Sequence, residues 1–178
     1  MQNTKSPLLK HGLAPIAGKN CHILLLGSMP SEKSLEKQEY YGHPRNAFWK
    51  IMQTITNIDW QAPYQERVQG LHSIGIALWD IIAHCKRQGS LDSNIHRPSI
   101  TLNPLAEFFK QHPQLRWIGL NGGKAFELFH RYIVKPDILS QNITYAGLPS
   151  TSPAHTIKLD EKIAQWHRHL QPYLIAQS

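Results

Sequence analysis

Apolar residues along this chain fall into short runs bounded by turn residues, with helix-spaced segments between them. His22–Leu26 is a compact apolar run that suits a buried strand and empties into Gly27-Ser28-Met29-Pro30-Ser31. Ile74–Trp79, Arg116–Leu120 and Ile143–Ala146 are three further strand candidates. Helical spacing starts at Ala47 and continues toward Ile55, and Pro63 to Val68 opens another helix on its proline. Asn103-Pro104 has a cap-then-proline signature, and that helix should stop before His112-Pro113. Two more helices are predicted, from about Lys124 to Tyr132 and from Leu159 to Leu170, with a helical turn around Glu32–Lys37. Strands alternating with helices imply βαβ units and a short, mostly parallel four-stranded sheet in a three-layer α/β/α domain. Residues 1–178 read as one domain, with 1–20 a poorly structured lead-in.

Three loops follow strands and so should meet at the carboxyl edge of the sheet, where open α/β sheets bind ligands. Gly27–Met29 offers main-chain amides; it is neither GxGxxG nor a P-loop, which disfavours a dinucleotide or nucleoside triphosphate. Asn121-Gly122-Gly123 turns the third strand into a helix and brings Asn121 and Lys124 to the same edge. Leu148–His155 has two prolines for stiffness, the hydroxyls of Ser150, Thr151 and Ser152 to meet phosphate oxygens, and His155 as a donor to phosphate or a departing group. The polar stretch Gly89–Asn94 lies along this edge, and its Asp92 either orients water or stabilises a turn.

Tyr40-Tyr41-Gly42-His43-Pro44-Arg45-Asn46 puts stacking faces, a proton donor, a cation and an amide in one loop. An enzyme that extrudes a base needs an aromatic wall to replace lost stacking. Tyr41 is the candidate wall, with one tyrosine of the pair packing into the core. Arg45 is a candidate phosphate contact, and Asn46 is both a candidate site amide and a helix N-cap.

Composition narrows the partners. The excess of 19 Lys+Arg over 12 Asp+Glu, a formal charge of +7, favours a polyanion such as nucleic acid. Two distant cysteines, Cys21 and Cys85, read as buried hydrophobes and cannot build a four-cysteine metal site. The 11 histidines form no HExxH or tight cluster, so neither metal nor cofactor is expected. No apolar run spans a membrane and no signal-peptide pattern occurs, so a cytoplasmic protein is expected; a monomer is expected as well.

In order, Gly27–Pro30, Tyr40–Trp49, Gly89–Ile95 and Leu148–His155 resemble the motif series of the hypoxanthine-DNA (deoxyinosine) glycosylases, a branch of the uracil-DNA glycosylase superfamily, over roughly residues 22 to 170. The resemblance implies a glycosylase that flips deaminated bases out of damaged DNA and hydrolyses them; with no amine poised as a Schiff-base nucleophile, a monofunctional enzyme is expected. Hypoxanthine comes first, with uracil and xanthine as further candidates. Asn46 would handle the water, Tyr41 would stack on the base, and Leu148–His155 would press into the minor groove. Gly27, Ser28, Met29 and Asn121 would bind the base; Arg45, Ser150, Thr151, Ser152 and Lys124 would bind DNA; Asp92 would be accessory. The mismatch-specific uracil branch carries Asn where this chain has Met29. A thioether cannot position water, so strong uracil activity is not expected and catalysis must lean on leaving-group stabilisation, with amides of Gly27–Met29 and His155 as donors. A silent damaged-DNA-binding module and a free-nucleoside hydrolase are the alternatives.

Overall fold

The structure, a computed structural model, describes residues 7–174. Its centre is a parallel sheet of β2 (Ile23–Gly27), β3 (Ile76–Asp80), β6 (Trp117–Asn121) and β7 (Thr144–Leu148), in the order β3-β2-β6-β7. β2 is buried along its whole length, which is why its Ile-Leu-Leu-Leu run shows no alternation. Gly119 of β6 is a packing glycine: a Cβ there would come within 2.8 Å of Leu25 and Trp117. Helices α2 (Phe48–Thr56), α3 (Tyr64–Ser73), α4 (Leu105–Gln111), α5 (Gly123–Phe129) and α6 (Leu159–Leu170) complete a three-layer α/β/α arrangement, with short α1 (Glu32–Lys37) beside the sheet's carboxyl edge.

The described part of the lead-in is more ordered than its composition suggests. Leu9–His11 forms β1, and Ile16 exchanges two main-chain hydrogen bonds with Leu78, at 2.9 and 2.8 Å. That bridge covers the open edge of β3, where unpaired N–H and C=O groups would otherwise face water. A strand the apolar pattern does not announce, β4 (Ile82–Lys86), follows β3 after one residue. It pairs antiparallel with β1 and with β5 (Thr101–Leu102) in a small second sheet. His84 and Lys86 make it too polar to stand out from the loop after it.

Two helix ends also differ. Asn46 lies one residue outside the cap position: α2 begins at Phe48, and the Asn46 Oδ1 accepts from the Phe48 amide at 2.9 Å. α5 ends at Phe129 and continues as a π-helical turn over His130–Val134, so the α-helical part is shorter than the spacing implies.

Candidate active site

All four central strands run in one direction, so their last residues line one edge. Gly27 stands in register with Asp80, and Asn121 with Leu148. Above these residues opens a cavity of about 580 Å³.

The turn after β2 is held from behind. Its Gly27 and Ser28 carbonyls accept from the Ile81 and Ile82 amides, both at 3.0 Å. Arg87, completely buried, donates to the Met29 and Pro30 carbonyls. With the carbonyls turned to the scaffold, the Ser28 and Met29 amides have no acceptor among the described residues and remain available to a ligand. Ser28 Oγ donates to Asp92 at 2.7 Å, which ties the turn to the loop after β4. A Cβ on Gly27 would sit 2.4 Å from Asp80 Oδ1, so a side chain there requires Asp80 to move. Gly27→Ala should therefore push Asp80 aside and cost about 1–3 kcal/mol. A urea denaturation midpoint equal to wild type would contradict that contact.

The aromatic loop separates its two tyrosines. Tyr40 is core, its hydroxyl donating to the Ala14 carbonyl at 2.9 Å. Tyr41 lines the cavity with a left-handed backbone, φ 55°, and its ring stacks on Phe48 at 4.0 Å. The Tyr41 hydroxyl is buried without a hydrogen-bond partner. Burial, and then the charge of Asp80, push its pKa well above the usual tyrosine range. Asn46 lines the same cavity, and Arg45 stands exposed at its mouth.

The loop after β7 is stapled at three points. The Thr151 amide donates to Asn121 Oδ1 and the Asn121 Nδ2 donates to Thr151 Oγ1, each at 3.0 Å. The Ala47 amide donates to the Thr151 carbonyl at 2.9 Å, joining this loop to the start of α2. Buried Lys162, from α6, donates to the carbonyls of Ser152 and His155 at 3.3 and 2.8 Å, and desolvation lowers its pKa. His155 is thereby fixed through its backbone while its side chain stands exposed at the mouth, with Ser150 and Ser152 half-buried nearby.

The cavity brings together every residue singled out from sequence except Lys124. Lys124 is outside the lining and donates to Glu127 at 3.1 Å, which also pairs with Arg97 at 2.7 Å. Thr151 was expected to face DNA; it is instead 1% exposed and engaged with Asn121, so its place is in the staple between loops. Much of the Asn121 amide serves that same staple.

Sequence reasoning missed Asp80, Arg87 and Lys162. Asp80 is 4% exposed, lines the cavity, and its Oδ2 has no partner. Burial pushes its pKa up to about 7; the charge of Asp92 adds to the rise and Arg87 opposes it. Asp92 is also raised, first by burial, with Ser28, Arg87 and Lys124 opposing. A signal for Asp80 existed: it is a charged residue ending an apolar strand, at the position Gly27 and Asn121 hold in theirs. Arg87 and Lys162 carried none, because local sequence does not say which long cation turns inward.

The fold matches that of a solved structure described as a DNA glycosylase. A solution NMR structure of a proposed uracil DNA glycosylase from Methanosarcina acetivorans superposes with a TM-score of 0.73 at 31% identity, covering 92% of this chain and 99% of that one. The profile of the Uracil DNA glycosylase superfamily matches residues 15–171. The chain belongs to that superfamily and is a DNA glycosylase, a hydrolase of N-glycosyl bonds. Two curated relatives are both called hypoxanthine DNA glycosylase. That of Methanosarcina barkeri is 37% identical, covering 88% of this chain and 95% of its own. That of Methanosarcina acetivorans is 32% identical, covering 89% and 96%.

Proposed function

We propose that this protein is a monofunctional hypoxanthine-DNA glycosylase acting in base excision repair, with uracil and xanthine as secondary substrates. The observation that carries the reading is the cavity at the strand ends. It presents stacked Tyr41, free main-chain amides, Asn46 and exposed His155, with no lysine in its lining. The two relatives' shared name supports hypoxanthine as the first substrate.

The extruded nucleotide enters with its base on Tyr41, whose far face is already backed by Phe48, so the ring is held ready for stacking. Departure of the base leaves an oxocarbenium-like sugar. This needs aligned donors for the charge developing on the base and one oriented water. The amides of Ser28 and Met29, together with His155, are the donors. Asn46 Oδ1 is anchored by the Phe48 amide, and its remaining lone pair accepts from the water that attacks the anomeric carbon. Without an amine in the lining, no Schiff base forms and the DNA strand stays intact. Arg45 and the hydroxyls of Ser150 and Ser152 meet phosphates at the mouth, and the charge of +7 draws the duplex in.

The direct test uses labelled duplexes carrying a single deoxyinosine, deoxyuridine or deoxyxanthosine. Deoxyinosine should give product that breaks only after alkali, fastest of the three, and with affinity falling steeply as salt rises. Binding without base release from any duplex would favour a silent damaged-DNA-binding module. Met29 motivates that second reading, because its buried thioether gives the first loop no group that handles water.

A further inference from the structure

Resting on the glycosylase reading, we propose that Leu91 is a wedge, an apolar side chain that fills the place the extruded nucleotide leaves in the duplex stack. Leu91 is 51% exposed and lines the cavity. The other exposed large hydrophobic side chains among the described residues, Leu8, Leu9, Phe126, Ile138 and Leu159, lie outside that lining. Its neighbours Gly89, Ser90, Asp92, Ser93 and Asn94 are residues a turn ordinarily carries, so turn chemistry does not account for a leucine among them.

The loop that carries Leu91 is held firmly. Arg87 and Ile95, both buried, pair across its base as an isolated antiparallel bridge. Ser28 Oγ donates to Asp92 at 2.7 Å on one side of Leu91. On the other side Lys10 of β1 donates to the Gly89 carbonyl at 2.7 Å, and Ser90 Oγ accepts from the Glu32 amide at 2.9 Å. A loose loop would fold its leucine back onto apolar surface; this one is tied on both sides and leaves half of Leu91 in water. The ordering entropy of the loop is thus met on folding and not on DNA binding.

Topology sets this loop across the cavity from the loop after β7. It leaves the β3 edge of the central sheet by way of β4, whereas β7 is the opposite edge, and both loops line the one cavity. The loop after β7 turns Pro153, Ala154 and His155 outward, and its one large aliphatic side chain, Leu148, is 4% exposed. Leu91 therefore supplies the bulky apolar group at the rim.

Extrusion costs the stacking of the target base on its neighbours and bares their faces to water. Apolar side chains inserted between base steps offset that cost. The exposed half of Leu91 becomes buried between the neighbouring base pairs, so it stabilises the extruded state and not the closed duplex. The wedge acts where the base starts inside a stack and adds nothing where it starts unstacked.

The experiment compares kcat/KM for hypoxanthine release from deoxyinosine in a fully paired duplex and from deoxyinosine in an unpaired bubble between duplex arms. Leu91→Ala should lose about tenfold on the duplex, the worth of burying half a leucine side chain, and stay within about twofold of wild type on the bubble. Leu91→Met keeps the bulk and should regain most of the duplex rate, whereas Leu91→Ser should not. An equal loss on both substrates assigns Leu91 to the cavity or to the fold and overturns the proposal. So does a duplex rate unchanged in Leu91→Ala.

A second readout needs no base release. In an Asn46→Ala background, the fluorescence of 2-aminopurine placed beside the deoxyinosine follows the opening of the stack directly. Adding Leu91→Ala should lower the extruded fraction at saturating protein. An unchanged signal overturns the wedge while leaving the glycosylase reading intact. No release by wild type from either substrate removes both.

Discussion

Asn46→Ala should release hypoxanthine about 100- to 1000-fold more slowly than wild type, while folding with only a small loss of stability. The two effects come from the same amide. Its Oδ1 accepts from the Phe48 amide at 2.9 Å, an interaction at the start of α2 worth about 1 kcal/mol. The same group lines the cavity, and misplacing a reacting group by about 1 Å costs on the order of 100-fold. Single-turnover rates with excess enzyme isolate the chemical step, and circular dichroism checks the fold. Near-wild-type cleavage by a folded Asn46→Ala protein would leave Asn46 as a helix-start residue alone and would move the water to another group.

Arg87→Met should destabilise the protein by about 3 kcal/mol, because it leaves two buried carbonyl acceptors without their donor. Methionine fills much of the space but donates nothing to the Met29 and Pro30 carbonyls that Arg87 holds, and unpaired buried acceptors cost about 1–3 kcal/mol each. At this chain length the loss corresponds to a Tm about 10 °C lower. Arg87 opposes the raised pKa of both Asp80 and Asp92, so its loss drives both carboxyls further up. Unchanged stability would mean that the first loop keeps its shape without the guanidinium.

The uneven legibility of the site follows from what each residue answers to. Gly27, Tyr41, Asn46 and Asn121 belong to local patterns: a glycine after an apolar run, an aromatic-polar loop before a helix, an amide before a glycine pair. All four line the cavity; strand order sends Gly27 and Asn121 there, and the loop before α2 brings Tyr41 and Asn46. Lys124 obeys the same local logic and still lies outside the lining, because Glu127 one helical turn away holds it. Thr151 lies in the expected loop but packs inward at 1% exposure, since Asn121 and the Ala47 amide together take its polar groups.

The sheet's strands were visible because burial on both faces demands continuous apolar runs, and the common direction of the strands follows from the helices between them. β4 was hidden because a half-exposed strand in a small sheet tolerates His84 and Lys86. Thus the chain's own pattern determined the α/β/α class, the edge where the site forms and most of the residues that line it, because periodicity and turn chemistry are local properties. Only the tertiary structure decided that Arg87 and Lys162 turn inward to hold the two loops, and that Asp80 is left without a partner at the cavity floor. The reason is physical: the state of a buried charge depends on which groups surround it in space, and those groups come from segments far apart in sequence.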